Sequence, residues 1–583
     1  DSTLYDRRTW KIIAHGGNGY NVYMAHGGSN FEYNNDRENA ASYDYGAAVG
    51  QTGDLRPIYY SFKRANWFAR SFQDVLENSL DEQHNLPTVS DTVIKVTARK
   101  SPAGTIAFLD NPDTVAVKVE VKPPADVPVK TSAQLKLAAG EIMPVVRNYA
   151  IAPNIKLAWA PTRIYAVIPQ GKTNTLVIYG DTGSVAKLYF SVDSAAFDPS
   201  AFKPIDGLLM FNTVVENKPS TYTFTVGKNI VKIIVVNSQL AAHTWFDEAN
   251  NNIITGPDYL GDATSVSATI ERSWQSKTPY HIWLFKPDPN VVELYHFQTD
   301  PHPQQLKLGL WQAKDASSPA SPAFNDKTWL HTTEPQQMGA DGDITAYAWY
   351  RTKIKVKTSG NYLLQLRKAP EGGAVFIDGI RVDTSERLPD TLHLQLKGGV
   401  THTLALFTSH IGRNKLIFKV GEIDTLDRKG IWGRVTLQKA DGKSPAVVVT
   451  NWHMQGGPCG SSAGDGCVIG FDKDVQGWSK LPAKSSREPQ FYKATLNLDT
   501  KTYSNAIWRV ITTSLSSGSV WVNGHNLGRY PEKIKINGMY IPGCWLKPGK
   551  NTVVIFDENG VLPVKVSIKA EAAASRDTQT LQF

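Results

Sequence analysis

The chain has 583 residues, 41% hydrophobic, 20% charged and 10% aromatic, which excludes a disordered polymer and leaves room for about three to five domains. Its formal charge of +8 comes from scattered Lys and Arg with no clustered basic run among aromatics, so no nucleic-acid partner is expected. No apolar stretch approaches the roughly 18 residues of a membrane span, so no membrane partner is expected either.

The first elements read as α/β. Residues 2–14 place Leu4, Trp10 and Ile13 near helical spacing, and Gly16-Gly17 supplies a stop. Asn21 to His26 then reads as a short buried strand ending at Gly27-Gly28, where a chain without Cβ turns sharply or approaches a neighbour closely. A long polar loop follows, and a second helix starts near Pro57, with Tyr60, Trp67, Phe68, Phe72 and Leu76 as its apolar stripe.

From about residue 85 the pattern changes to short segments rich in Val, Ile, Thr and Tyr, separated by Gly, Pro, Asn and Asp. TVAVKVEVK (114–122), TLVIYG (175–180), NIVKIIVVN (229–237) and NTVVIFDENG (551–560) are examples, and they predict antiparallel sandwiches or barrels without a long helix. The last third contains an echo. Ala348-Trp349-Tyr350-Arg351-Thr352 precedes Gly373-Ala374-Val375-Phe376-Ile377-Asp378-Gly379, as Gln490-Phe491-Tyr492-Lys493-Ala494 precedes Gly518-Ser519-Val520-Trp521-Val522-Asn523-Gly524. Asp-Gly and Asn-Gly supply the positive φ angles of a tight hairpin, so the echo predicts two copies of one sandwich type.

Chemistry-bearing residues are sparse. Tyr23, just before a glycine turn, stands where α/β barrels build sites, although a Tyr packed under a loop has the same pattern. The loop Ala40 to Ala47 carries Tyr43, Asp44 and Tyr45, and a phenol's flat face and hydroxyl match the mixed character of a sugar ring; covering a core edge is the competing role. His15-Gly16-Gly17-Asn18-Gly19 precedes a strand, not a helix, so it lacks phosphate-loop geometry. The His and Cys spacings predict no metal site, no nucleophile elbow stands out, and no cofactor is expected. Glu32, Glu38 and Asp44 are carboxylates that nothing pairs on rigid elements. Trp349, Trp521 and Trp545 read as core fillers. Three cysteines exclude a disulfide scaffold. Cys459 and Cys467 bracket a small loop that a bridge closes easily, reading either as a disulfide of an oxidising compartment or as two thiols of a cytosolic loop; Cys544 is left over.

NVYMAHGGSNF followed by AASYDYGAAVGQTGDLRPIYYSFKR resembles the last β/α unit of the catalytic barrel of glycoside hydrolase family 35 β-galactosidases. That family shows N-L-Y-M-x-x-G-G-T-N-F, then T-S-Y-D-Y-D-A-P, then G-D-L-T-x-K-Y. Here Ser29 replaces Thr, Gly46 replaces Asp, and Ala48-Val49 replaces Pro-Leu. GSVWVNGHNLGRYPEKIKINGMYIPGCWLKPGKNTVVIFD (518–557) is similar to the family's C-terminal jelly roll, and residues around GEIMPVVRNYAIAPN resemble its middle β domain more loosely.

The resemblance implies a multidomain, mostly β chain: residues 1–80 as the last β/α unit of a TIM (β/α)8 barrel, 81–290 as middle antiparallel β structure, and 291–445 and 446–583 as two jelly-roll, galactose-binding-like sandwiches. It implies part of a retaining exo-β-galactosidase, secreted or periplasmic, with both catalytic Glu residues upstream of Asp1 and an N-terminal barrel polypeptide as partner. Tyr23 and Tyr45 would contact galactose of the substrate glycan, on a loop supported by His26, Asn30 and Asp44. A non-catalytic carbohydrate-binding protein is the alternative.

Overall fold

The computed structural model describes residues 2–583 apart from 36–40, 278–279, 289–291, 300, 367–371, 384–387, 413–427, 461–476 and 532–537. The described residues are mostly β, arranged in many sheets, and they group into two units. The first comprises Asp1–His26, Gly46–His302 and Arg576–Phe583; the second comprises Gly27–Tyr45 and Pro303–Ser575.

In the first unit, helix α1 spans Ser2–Ala14 and buries Trp10 and Ile13 as their spacing predicts, whereas Leu4, the third residue of that spacing, is exposed. Helix α2 spans Pro57–Ser71, with Pro57 in the first turn, where no backbone donor is needed. Its apolar stripe is expected to run to Leu76, but the helix breaks at Phe72 and a separate turn, Gln73–Leu76, follows. The break has a cause in hydrogen bonding. Tyr149 donates its hydroxyl to the Ser71 carbonyl (3.1 Å), and the Val167 amide donates to the Ser71 hydroxyl (2.9 Å).

Both helices pack on β structure. Trp10, Ile13, Phe68 and Phe72 share one core with Phe108, Val146, Leu157, Phe190 and Phe211 of an eight-stranded sheet and with Leu176, Ile178, Val231 and Ile233 of a five-stranded one. The predicted strands at 175–180 and 229–237 are present as Thr173–Gly180 and Asn229–Asn237, but they pair with each other in parallel, from Thr173↔Ile230 to Gly180↔Asn237. Antiparallel pairing was the expectation. Both strands read as nearly continuous apolar runs, which is the pattern of strands covered on both faces.

The strand expected at Asn21 to His26 is absent: Tyr23 and Met24 lie in a turn, and among the described residues of this stretch only His26 makes a bridge, to Val49. A strand persists where neighbours complete its ladder, and here that is limited to the His26 bridge and the Val49 amide donating to Ala25 O (2.8 Å).

The second unit contains the echo as two six-stranded sheets. One orders Tyr347–Lys355, Thr401–Ser409, Gly372–Ile377 and Ile380–Arg381 side by side; the other orders Gln490–Leu498, Gly549–Asp557, Gly518–Val522 and His525–Tyr530 in the same sequence. Trp349 and Phe407 of the first and Phe491, Trp521 and Phe556 of the second meet in one core. The first sheet also packs, through Tyr350, Leu404 and Leu406, on Leu364, Leu394 and Leu437 of a four-stranded sheet. Strands cross the 445/446 boundary in both directions: Trp452–Gly456 joins the first sheet and Gln312–Asp315 the second.

Both predicted hairpin turns form. Asp378 and Gly379 have φ of 52° and 86°, and Asn523 and Gly524 have 49° and 86°. Each is latched to the neighbouring strand alike: the Thr403 amide donates to Asp378 Oδ1 (2.8 Å), and the Thr552 amide to Asn523 Oδ1 (2.9 Å). The third partner differs. Asn523 donates to Asn551 (2.7 Å), whereas Asp378 faces His402 Nδ1 (2.6 Å), whose Nε2 lies 3.0 Å from Lys397 O.

Burial opposes the His402 imidazolium, but hydrogen bonds to Asp378 and Lys397 O and the Asp378 charge outweigh it and hold its pKa above the ordinary value. Burial likewise opposes the Asp378 carboxylate, yet bonds from His402 and the Thr403 amide, with the charges of His402 and Lys353, hold its pKa below. The stabilisation is therefore complete between the ordinary Asp and His values; it fades as pH rises through the raised His402 pKa and as pH falls through the depressed Asp378 pKa. His402→Asn, which copies the second turn, is expected to flatten the melting temperature profile between about pH 5 and about pH 8. An unchanged slope in thermal scans would assign that dependence to other groups.

Candidate functional site

The glycine turn and the tyrosine loop are held together within the second unit. Gly28 pairs with Tyr43 and Ser29 with Ser42, and the Asn30 amide donates to Ala41 O (2.9 Å). A Cβ on Gly27 would stand 2.4 Å from the Asp44 backbone, and one on Gly28 would meet the Tyr43 ring at 2.1 Å, so close approach is why glycine occupies both positions. The Gly27 contact lies over Asp44, which is buried. Tyr45 follows with φ 53° and is 54% exposed, its ring edge-on to Tyr43 at 6.5 Å.

The same segment is fastened to the C-terminal sheet. The Glu32 amide donates to Asn526 O (3.0 Å), Phe31 packs edge-on to Trp545 at 4.7 Å, and Tyr33 meets Tyr347 at 6.1 Å. Trp349 and Trp521 are core residues as expected, but Trp545 is not. It is only half-buried, and what cover it has comes from Phe31, over five hundred residues away in sequence, and from the stacked ring of His525 (4.8 Å).

Tyr23 and His26 belong to the first unit. Tyr23 is 88% exposed, so its phenol is open to solvent, and His26 is exposed beside its bridge to Val49. The loop 47–57 that follows is internally bonded: Asp54 accepts from Thr52 (2.7 Å) and from Arg56 Nε (3.0 Å), and Arg56 donates its amide to Ala48 O (3.0 Å). Arg576, from the other end of the chain, lies 3.6 Å over the Tyr259 ring, pairs with Glu271 (2.9 Å) and donates to Gly53 O (2.7 Å). Sequence reasoning missed Asp54, Arg56 and Arg576; the Gly53-Asp54-Leu55 motif was the available signal for the first two, and nothing local pointed to Arg576.

Of the isolated carboxylates, Glu32 is exposed, Asp44 is buried, and Glu38 lies outside the described residues. Among the described residues no group of three or more His, Cys, Asp and Glu could hold a metal ion, and no helix is long and apolar enough to cross a membrane. Cys459 is disulfide-bonded and Cys544 is free and exposed, while Cys467 lies outside the described residues.

Residues 3–67 match the family profile described as Glycosyl hydrolases family 35, and residues 489–551 match the one described as Beta-galactosidase, galactose-binding domain. The chain is thus similar to family 35 β-galactosidases at both of the ends where its motifs carry the resemblance. Beta-galactosidase 8 of Arabidopsis thaliana is 25% identical over 281 residues, covering 41% of this chain and 32% of that protein. Probable beta-galactosidase C of Aspergillus flavus is 20% identical over 655 positions, covering 95% of this chain and 64% of that protein. The chain therefore spans about a third of one relative and under two thirds of the other. A solved β-glucuronidase 2 variant from Bacteroides uniformis aligns at 14% identity over 48% of this chain and 32% of its own, with a TM-score of 0.16, too low to carry an argument.

Proposed function

We propose that this chain is the C-terminal portion of a secreted or periplasmic, retaining, exo-acting β-galactosidase that removes terminal non-reducing β-D-galactose from oligo- or polysaccharides. The observation that carries the reading is the ordered pair of family matches, at 3–67 and 489–551, along a chain of which 95% aligns with the Aspergillus relative. A retaining glycosidase needs two carboxyl groups about 5 Å apart, one as nucleophile and one as acid/base. Both Glu residues belong to a barrel polypeptide preceding these residues, with 1–80 as its last β/α unit and 291–445 and 446–583 as jelly-roll sandwiches.

In this reading Tyr23 and Tyr45 complete the sugar pocket, with His26, Asn30 and Asp44 supporting the loop. The exposure of both rings, 88% for Tyr23 and 54% for Tyr45, supports it, since each offers a face to a sugar. The test is turnover of 4-nitrophenyl β-D-galactoside. Activity is expected from the polypeptide that includes the barrel and not from the 583-residue chain alone. Tyr23→Phe in the complete enzyme is expected to lower kcat about tenfold to a hundredfold with KM little changed, the signature of a transition-state hydrogen bond. A folded complete polypeptide without β-galactosidase turnover would remove the reading; unchanged kinetics in Tyr23→Phe would remove only that residue's role.

The galactose-binding-domain match favours one second reading, a non-catalytic carbohydrate-binding protein. Retardation in a galactan gel without turnover by the complete polypeptide would select it.

A further inference from the structure

A cleft of about 560 Å³ opens in the first unit between helices α1 and α2 and the neighbouring strands, within the size range of small-ligand sites. Trp10 and Asp6 from α1 and Tyr60 and Arg64 from α2 line it on one side. The Asp6 carboxyl lies beside Trp10 and Ser61, and its Oδ1 is buried with no partner. Leaving a buried acceptor unmade is costly, and a ligand hydroxyl would recover that loss. Burial pushes this carboxyl up to about 6, against the pull of Arg64 and with the help of Glu141.

The opposite wall fixes the ligand's chemistry. Glu141 is paired with Arg163 (2.7 Å) and Asp181 lies 3.7 Å from Lys136, so these charges neutralise each other and leave Asp6 opposite Arg64. With three carboxylates and three cations in the lining, neither a phosphate nor a polyamine meets a net opposite charge, and both are disfavoured. A wholly apolar ligand would strand the polar lining. What remains is an uncharged molecule with many hydroxyls and an apolar face, to set against the Tyr60 ring. A second cavity of about 750 Å³ shares Lys136, Arg163, Tyr179 and Asp181 with the first, and adds the hydroxyls of Ser132, Thr162, Thr182 and Ser184.

We propose that this pair of cavities is a binding site for a neutral oligosaccharide, with one sugar seated over Asp6 and Arg64 and the rest running along the shared wall. The site binds and does not cleave. The inference deepens the glycan reading above and rests on it for the choice of a galactan probe.

Isothermal titration of the 583-residue chain with β-1,4-galactotriose, with maltotriose and cellotriose in parallel, tests it without reference to turnover. Saturable binding of one of these is expected, weakened about tenfold or more by Arg64→Ala and by Asp6→Ala, with melting curves confirming that each variant is folded. Binding of maltotriose or cellotriose in place of galactotriose would support an oligosaccharide site and remove galactan as its ligand. Absence of saturable binding for all three would overturn the proposal. So would binding that Arg64→Ala leaves unchanged, a variant of a partly exposed residue that keeps the test decisive if Asp6→Ala does not fold. Failure of the β-galactosidase reading is seen separately, as missing turnover by the complete polypeptide.

Discussion

Arg529→Ala is expected to destabilise the second unit by about 3–5 kcal/mol, because it leaves a buried charge without its partner. Arg529 Nη2 lies 2.5 Å from Glu558 Oε1, with side-chain exposures of 4% and 6%. Glu558 Oε2 accepts the Ser409 hydroxyl at 2.8 Å, so this carboxylate links the edge of the C-terminal sheet to a strand of the first. The guanidinium also stands 5.0 Å from the Tyr347 ring. Removing the cation strands Glu558 where water cannot replace it. The double variant Arg529→Met with Glu558→Met should recover most of the loss in urea denaturation, since well-packed apolar residues commonly match a buried ion pair. A double variant as unstable as the single would show that packing, not the unpaired charge, sets the loss.

Gly518→Ala is expected to cost about 3 kcal/mol, the upper end for an inserted methyl group. Its Cβ would lie 1.8 Å from the Phe556 carbonyl oxygen and 2.8 Å from the Tyr530 hydroxyl, which donates to that same carbonyl (2.7 Å). The obstacle is backbone in the centre of a sheet and cannot swing aside. The echo repeats the device: a Cβ on Gly373 would stand 2.3 Å from Phe407 O. Gly543→Ala is the control, because nothing lies within 4 Å of its Cβ position and its φ is not positive. It should change stability by less than about 0.5 kcal/mol. Equal melting temperatures for the Gly518 and Gly543 variants would show that the sheet yields at Gly518.

The candidate site was legible only in part. The glycine turn and the tyrosine loop were visible as residue types, and their close approach follows from Gly27 and Gly28 against Asp44 and Tyr43. Their attachment was not visible. Phe31 on Trp545 and Glu32 on Asn526 are contacts between segments about five hundred residues apart, and no local pattern encodes such a pairing. The strand expected at Asn21 to His26 failed for a related reason: alternation describes which faces a strand would have, whereas a ladder partner decides whether it exists.

By itself the sequence determined the local elements whose physics is local. Pro57 and the spacing of Phe68 set a helix, the alternation in TVAVKVEVK buried Val119 and Val121, and Asp378-Gly379 and Asn523-Gly524 set their turns, because positive φ is a property of single residues. The echo predicted two copies of one sandwich type, and the two sheets that hold it share one strand order in the structure. Tertiary structure decided the rest. It paired Thr173–Gly180 with Asn229–Asn237 in parallel, brought Arg576–Gln582 back beside Ser267–Ser273, and passed Gln312–Asp315 and Trp452–Gly456 between the two sheets. These are choices among strands of similar composition, and what selects among them is which buried faces fit one another, a property of the assembled core and not of any segment alone.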